Sequence, residues 1–176
     1  MFHNWRVEEV VHKGEPLYFG LDFGFAHSRL AAVRCWIDQE KREIYIDHEV
    51  YRVGVELNHI PDYLDTMPGS RHYSISADDS RPDTISYLRN KGFNVNGAPK
   101  GKGSVLDGVS FLKDHTIIVH PRCKGVMDEL TLYSYKVDKR TGMVLPETEK
   151  ANDDLIDSTR YALYLFIKGT PEIYVG

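Results

Sequence analysis

Acidic residues on three separate stretches of the chain stand out by their surroundings. Asp22 lies inside P-L-Y-F-G-L-D-F-G (Pro16–Gly24), an otherwise apolar run. An ionised carboxylate there is costly to desolvate unless a cation or hydrogen bonds satisfy it. Asp78 falls where the short strand-like segment Tyr73–Ala77 gives way to a helix, the usual place for a ligand site in an open α/β sheet. Asp153, Asp154 and Asp157 open a helix near the end of the sequence, and three-residue spacing lets Asp154 and Asp157 point into one pocket. Taken singly, each has a structural reading. Asp78 or Asp79 caps a helix, and first-turn acids complement a helix dipole. Those readings do not reach Asp22 in a strand and fit poorly at Asp157, one turn further in. Taken together, the acids suggest a site of carboxylate oxygens for a hard cation, suiting magnesium or manganese better than zinc. The chemistry such a site performs is phosphodiester hydrolysis with two metal ions, one activating a water and both stabilising the pentavalent phosphate and the leaving oxygen.

The elements that must position these acids are legible in the patterning. Pro16–Gly24 reads as a buried strand, Arg29–Ile37 as a second, and Glu43–Tyr51 as a third with alternating polar and apolar residues. The charged turn Asp38–Arg42 joins the last two, so an antiparallel meander is expected. Leu57–Leu64 has helical spacing interrupted by Pro61. Pro82–Lys91 reads as a helix capped by Asp79 or Ser80, with proline in its first turn and Gly92 stopping it. Phe93–Val95 starts a strand, Gly103–Leu112 is helical, Thr116–His120 is a strand, and Arg122–Tyr133 is helical. The turn signal Asp138–Gly142 makes Tyr135–Leu145 a hairpin. Asp153–Lys168 reads as one strong helix, and Gly169–Gly176 as a tail. This order predicts an α/β or α+β layered fold in a single domain over residues 1–176, with its core at about 16–168.

Composition narrows the function classes without choosing one. The 176 residues suffice for a sizeable core, since a domain of this length buries roughly 70% of its unfolded surface. The net charge of −4 does not mark a nucleic-acid binder, but global charge bounds non-specific affinity rather than the presence of a site. Cys35 and Cys123 have no paired metal-ligand spacing, which argues against a disulfide framework or a zinc site. No apolar run approaches the roughly 20 residues of a membrane span, and the first residues lack the pattern of a secretion signal, so a soluble intracellular protein is expected.

At this point the motifs resemble a known family. G-L-D-F-G-F-A-H-S (Gly20–Ser28) is similar to the first catalytic strand of the C-terminal nuclease domain of tailed-phage terminase large subunits. A-D-D-S-R-P-D-T-I-S-Y-L-R (Ala77–Arg89) resembles the second acidic motif, whose functional acid, four residues before the proline, is Asp78. G-A-P-K-G-K-G-S-V-L-D-G-V (Gly97–Val109) resembles the glycine- and lysine-rich stretch before a helix. N-D-D-L-I-D-S-T-R-Y-A (Asn152–Ala162) resembles the third motif, with Asp157 as its last acid. Two departures are visible. Asp154 stands where the family frequently has histidine, and Ala26–Arg29 replaces a common Asp-Pro continuation of the first motif.

The resemblance spans Tyr18 to about Leu165. It implies a ribonuclease H-like fold, a mixed sheet flanked by helices with an accessory hairpin. It also implies a metal-dependent, largely sequence-independent DNA endonuclease that cuts concatemeric viral DNA during packaging. Asp22, Asp78 and Asp157 would be catalytic, and with Asp154 would hold two Mg²⁺ or Mn²⁺ ions. The implied partners are double-stranded DNA, the terminase ATPase domain, the small terminase subunit and the portal, in the host cytoplasm. The chain has no G-x-x-x-x-G-K-[ST] phosphate loop, so it is expected to cut DNA without translocating it, and to be a monomer in isolation.

Other candidates keep two readings. Lys100 and Lys102 beside glycines either approach DNA phosphates or form a solvated turn. Lys136, Lys139 and Arg140 on the hairpin either meet the duplex or keep the tip soluble. Arg160 either orients a carboxylate or lies at the surface, and His27 either approaches the metal or bonds within a loop. Rival functions are a junction resolvase or ribonuclease H of the same fold, a non-catalytic docking domain of the packaging motor, and an actin-like sugar or nucleotide kinase. The kinase would need a second phosphate motif. A docking domain has no reason to place Asp22 in a core strand.

Overall fold

Alternation of apolar side chains over the first third of the sequence becomes a set of long paired strands. The computed structural model describes residues 1–23 and 29–169. Residues 24–28, which include His27 and the end of the first acidic motif, and the tail from 170 onward lie outside the described residues. The strands are β1 (Trp5–Val7), β2 (Tyr18–Asp22), β3 (Arg29–Asp38), β4 (Glu43–Val53), β5 (Ile75–Asp78), β6 (Val95–Ala98), β7 (Thr116–Val119), β8 (Tyr135–Val137) and β9 (Val144–Thr148). The helices are α1 (Ile60–Asp65), α2 (Pro82–Asn90), α3 (Ser104–Lys113), α4 (Lys124–Leu132), α5 (Asp154–Ala162) and α6 (Tyr164–Ile167). Seven strands form one mixed sheet in the order β1-β7-β4-β3-β2-β5-β6, and β8 and β9 form a separate hairpin. The meander β2-β3-β4 is antiparallel, while β5, β6 and β7 join in parallel through helical crossovers.

Helices cover both faces of the sheet. On one face Ala31, Val33, Ile44, Ile46 and Ile117 pack with Val109 and Leu112 of α3, Val126 and Leu130 of α4, and Leu155 and Ile156 of α5. On the other, Phe19, Leu21, Ala32, Ile75, Ala77 and Val95 meet Ile60 and Leu64 of α1 and Ile85 and Leu88 of α2. Period-two alternation then directs Gly20, Asp22 and Asp78 toward the α5 side.

Gly20 sets how closely α5 can lie on β2. A Cβ built there would stand 1.6 Å from the Ser158 carbonyl oxygen, so no other residue fits without moving the helix. Ser158, fully buried in the contact, donates its hydroxyl to the Ala31 carbonyl at 2.9 Å and ties the helix to β3.

Two helices start on carboxylates supplied from elsewhere in the fold. The N-cap residues of α4 and α5, Cys123 and Asp153, make no side-chain capping bond. Instead Glu49 of β4 accepts from the Gly125 and Val126 amides, each at 2.9 Å. Glu129 of α4 accepts from Leu155 at 2.8 Å and Ile156 at 3.0 Å. The free amides of a helix start are thereby satisfied, and the carboxylates sit at the positive ends of the dipoles.

Three local expectations change. The helix predicted over Asp153–Lys168 breaks at Leu163 into α5 and α6. The expected cap of α2 by Asp79 or Ser80 is absent: the helix starts later, with Arg81 at the N-cap position and no side-chain bond, while Asp78 accepts from the Ser80 amide at 2.9 Å. The short strand β1, for which the sequence carries too few residues to show alternation, pairs with β7. The hairpin does form, its turn held by Asp138, whose carboxylate accepts from the Arg140 and Thr141 amides at 2.8 and 3.0 Å.

Candidate functional site

The parallel pairing of β2 with β5 places two of the singled-out acids side by side. Leu21 pairs with Ala77, so Asp22 and Asp78, the last residues of their strands, are the next positions in the register. Both side chains leave at the carboxyl edge of the sheet, where strand order reverses from β3-β2 to β2-β5-β6. The close seating of α5 on Gly20 brings Asp157, one residue before Ser158, over the same edge. The phenol of Tyr161, one turn further along α5, is pushed well above its ordinary value by burial and then by the charges of Asp157, Asp22 and Asp78. Helix α5 packs on both β2 and β5, so Asp157 rides on the helix that lies over the two strands.

Asp78 and Asp157 each face a side-chain cation, and Asp78 also accepts from the Ser80 amide. Lys100 Nζ lies 2.7 Å from Asp78 Oδ1, reaching it from two residues beyond Ala98, the β6 partner of Asp78. Arg160 Nη2 lies 2.7 Å from Asp157 Oδ1, with Nε at 3.2 Å from the same oxygen. Burial would raise the Asp78 carboxyl, but Lys100 and the Ser80 amide and hydroxyl outweigh it and hold the group below its usual range. At Asp157 burial is the stronger influence and lifts the carboxyl, with Arg160 opposing. Asp153 is lifted to about 6 by burial and by the charges of Asp157 and Asp154. Arg160 is itself buried; its stem passes Gly108 of α3, where an added Cβ would stand 2.4 Å from Arg160 Cδ.

The fourth candidate acid takes a different direction. Asp154 Oδ2 accepts from Arg29 Nη1 at 3.2 Å and from the Tyr51 hydroxyl at 3.4 Å. It lines a separate cavity with Glu129 and Lys150. Three-residue spacing on α5 therefore does not aim Asp154 and Asp157 at the same partners, although Asp157 senses the charge of Asp154. Among the basic candidates, Lys100 is at the acid edge and Lys102 lines the cavity beside it. Lys136 pairs with Glu147 across the hairpin at 3.0 Å, and Lys139 and Arg140 are exposed at its tip.

The donor chemistry of the acid edge fits a hard divalent ion, since it offers carboxylate oxygens from three elements. Among the described residues no three acidic, histidine or cysteine side chains close around a single point. An ion held there would take the place of Lys100 at Asp78 Oδ1. Asp22 and Asp78, at the ends of paired strands, and Asp157 on α5 are the residues that could hold it.

Comparison with known proteins shows the family and the fold. The pattern of the terminase RNAseH-like domain matches residues 22–164. The chain belongs to this family. The terminase large subunit of Bacillus phage SPP1 is 33% identical over 173 residues, 92% of this chain and 40% of that protein. The PBSX phage terminase large subunit of Bacillus subtilis strain 168 is 33% identical over 147 residues, 82% of this chain and 34% of that protein. This terminase RNase H-like chain thus spans well under half the length of those relatives. The nuclease domain of the SPP1 large terminase, solved with bound Mn, superposes with a TM-score of 0.81 at 29% identity, covering 93% of this chain and 97% of that one. The P22 large terminase nuclease domain shares the fold, with a TM-score of 0.71 at 19% identity over 92% of this chain and 87% of that one. The ribonuclease H-like fold expected from the sequence is the one observed.

Residue-level reading missed three contributors. Tyr161 was not singled out, yet its ring lies 5.9 Å from Lys100 Nζ and 5.4 Å from Arg160 Cζ, the partners of two of the acids. Glu49 and Glu129 were not singled out; the available signal was Glu129 between Val126 and Leu130 on the buried side of α4, where an unpaired carboxylate is costly. The open question at Arg160 resolves in favour of orienting a carboxylate.

Proposed function

We propose that this chain is a metal-dependent, largely sequence-independent DNA endonuclease acting in viral genome packaging. The observation that supports the reading is the adjacent register of Asp22 and Asp78 at one sheet edge beneath α5, the helix that carries Asp157, in a fold that superposes on the Mn-bound SPP1 nuclease domain. Mg²⁺ or Mn²⁺, as two ions during catalysis, would activate the attacking water and stabilise the charge on phosphate and leaving oxygen. The chain's own residues supply the rest. Asp22 and Asp78 present oxygens from the sheet edge, and Asp157 presents another from across it. Arg160 fixes the Asp157 rotamer through two N–H bonds to one oxygen. Lys100, released from Asp78, keeps a positive charge within reach of a phosphate, with Lys102 on the same glycine-flanked loop. Asp154 belongs to this site as a further ligand only if it leaves Arg29. Nothing among the described elements resembles a base-reading helix in a groove, in keeping with weak sequence preference.

In the longer relatives this region accompanies the rest of a large subunit. By that analogy the partners are double-stranded DNA, the ATPase domain, the small subunit and the portal, in the host cytoplasm, with concatemeric DNA as substrate.

The test is incubation of supercoiled plasmid with the chain in Mn²⁺, Mg²⁺ or EDTA, alongside Asp22→Asn. Nicking and linearisation should require metal and fall by roughly 10²–10³-fold in the variant, the value of several kcal/mol of lost charge stabilisation. Equal inertness of folded wild type and variant would leave docking, not cutting, as the reading for this chain alone.

A further inference from the structure

Beside the acid edge lies a cavity of 290 Å³ that no step of the hydrolysis requires. It shares Lys100, Arg160 and Tyr161 with the acids, so whatever enters it is next to the reacting phosphate. One wall is apolar and flat-sided, made by Pro99, Tyr164 and Ile167. The mouth is basic, with Lys102 and Lys168 exposed, against the carboxylate of Asp107 among the described lining residues. Tyr161 is committed to structure: it is 7% exposed, with Lys100 Nζ 5.9 Å and Arg160 Cζ 5.4 Å from its ring centre. Tyr164 is different. It is half-buried at the start of α6, just past the break at Leu163, and lines the cavity.

An aromatic ring, an apolar wall and a cationic mouth beside a phosphate-processing edge describe a receptor for one nucleotide. The base would stack on Tyr164 and its flanking phosphates would meet Lys102 and Lys168. The volume lies at the lower limit of the roughly 300–1,000 Å³ that hold drug-sized ligands, which suits a single nucleotide and not a duplex. A base inside a duplex is stacked on both faces and cannot present a face to Tyr164. We infer that this cavity accepts an unpaired nucleotide adjacent to the scissile phosphate, so that the chain prefers DNA opened locally over intact duplex. The inference rests on the nuclease reading for which phosphate is cut, but binding itself does not need cutting.

The experiment therefore measures binding in EDTA at low salt, where no cleavage occurs. Two fluorescent probes of the same sequence are compared, an intact duplex and one carrying a single unpaired 2-aminopurine. Wild type should bind the unpaired probe roughly 10-fold more tightly, the effect of stacking one base, and quench its fluorescence. Tyr164→Ala should abolish both the preference and the quenching while leaving duplex affinity unchanged, and Tyr164→Phe should keep both. Lys102→Glu, at an exposed position, should weaken the unpaired probe more than the duplex and serves if Tyr164→Ala does not fold. Equal affinity of wild type for the two probes, absence of quenching, or an unchanged preference in both Tyr164→Ala and Lys102→Glu overturns the proposal. Plasmid nicking, assayed separately, tells a failure of this pocket from a failure of the nuclease reading.

Discussion

Two sets of carboxylates, Glu129 buried and Glu49, Asp78 and Asp157 half-buried, lie on the same side of the sheet and are held in opposite ways. Glu49 and Glu129 accept bonds from backbone amides at the first turns of α4 and α5. Those donors are fixed by the helices, and no other group can satisfy them in their place. Asp78 and Asp157 face the side-chain cations Lys100 and Arg160, with the Ser80 amide of a turn as a further donor to Asp78. A lysine can swing away from a carboxylate at little cost, so the Asp78 oxygens are exchangeable in a way that the Glu129 oxygens are not. Burial of an acid alone, then, does not separate chemistry from structure. The kind of partner does.

Removing Glu129 should produce the largest change in stability. Glu129→Ala leaves the Leu155 and Ile156 amides without acceptors in the core, a loss of about 3 kcal/mol. Thermal denaturation should show a drop of roughly 6–12 °C for a chain of this size. Asp22→Asn should leave the midpoint near that of wild type while abolishing nicking. If the two variants behave alike in both assays, the division between capping and exchangeable acids is wrong.

The second prediction concerns pH. Burial pushes the Glu129 carboxyl up to about 8, against the pull of the Ile156 and Leu155 amides and with Asp154 and Asp153 adding to the rise. The folded chain then holds a proton that the unfolded chain releases near the ordinary value of 4.5. Stability from this group is full below that value and is lost as pH rises toward about 8. Melting midpoints in EDTA from acid to mildly alkaline pH should fall across this window, and Glu129→Gln should flatten the fall. A slope unchanged by that substitution would assign the effect to other groups.

The smallest effect sharpens the other half of the comparison. Lys100→Met frees Asp78 of its internal cation while keeping a side chain of similar length. Calorimetric Mn²⁺ affinity should rise by about 3- to 10-fold, on the scale of a partly exposed ion pair. Duplex binding should lose about one unit of its salt dependence if Lys100 also meets a phosphate. Weaker Mn²⁺ binding in the variant would mean that Lys100 supports the ion instead of competing with it.

Much of this arrangement was legible beforehand, for identifiable reasons. Asp22 was conspicuous because an apolar strand tolerates a carboxylate only with compensation, and no capping reading applied to it. The meander and the crossovers followed from alternation and from proline and glycine punctuation, which are local properties. Errors fell where local reading meets tertiary competition. The cap expected from Asp79 or Ser80 failed because the helix starts one residue later, with Arg81 at its N-cap, and the long terminal helix broke at Leu163. Asp154 and Asp157 share a helix face in isolation, but Arg29 and Tyr51 hold one while Arg160 holds the other.

The sequence by itself determined which residue types stood at which strand ends, the order of the elements and the family the motifs resemble, because these depend on near neighbours along the chain. Tertiary structure alone decided that Asp22 and Asp78 are adjacent, that Lys100 reaches Asp78, and that Glu129 starts α5 from another helix. It also decided that Tyr164 lines a cavity beside the acids. Each of these joins residues distant in sequence through strand register or through the approach that Gly20 allows, and no periodicity in a linear chain encodes such a distance.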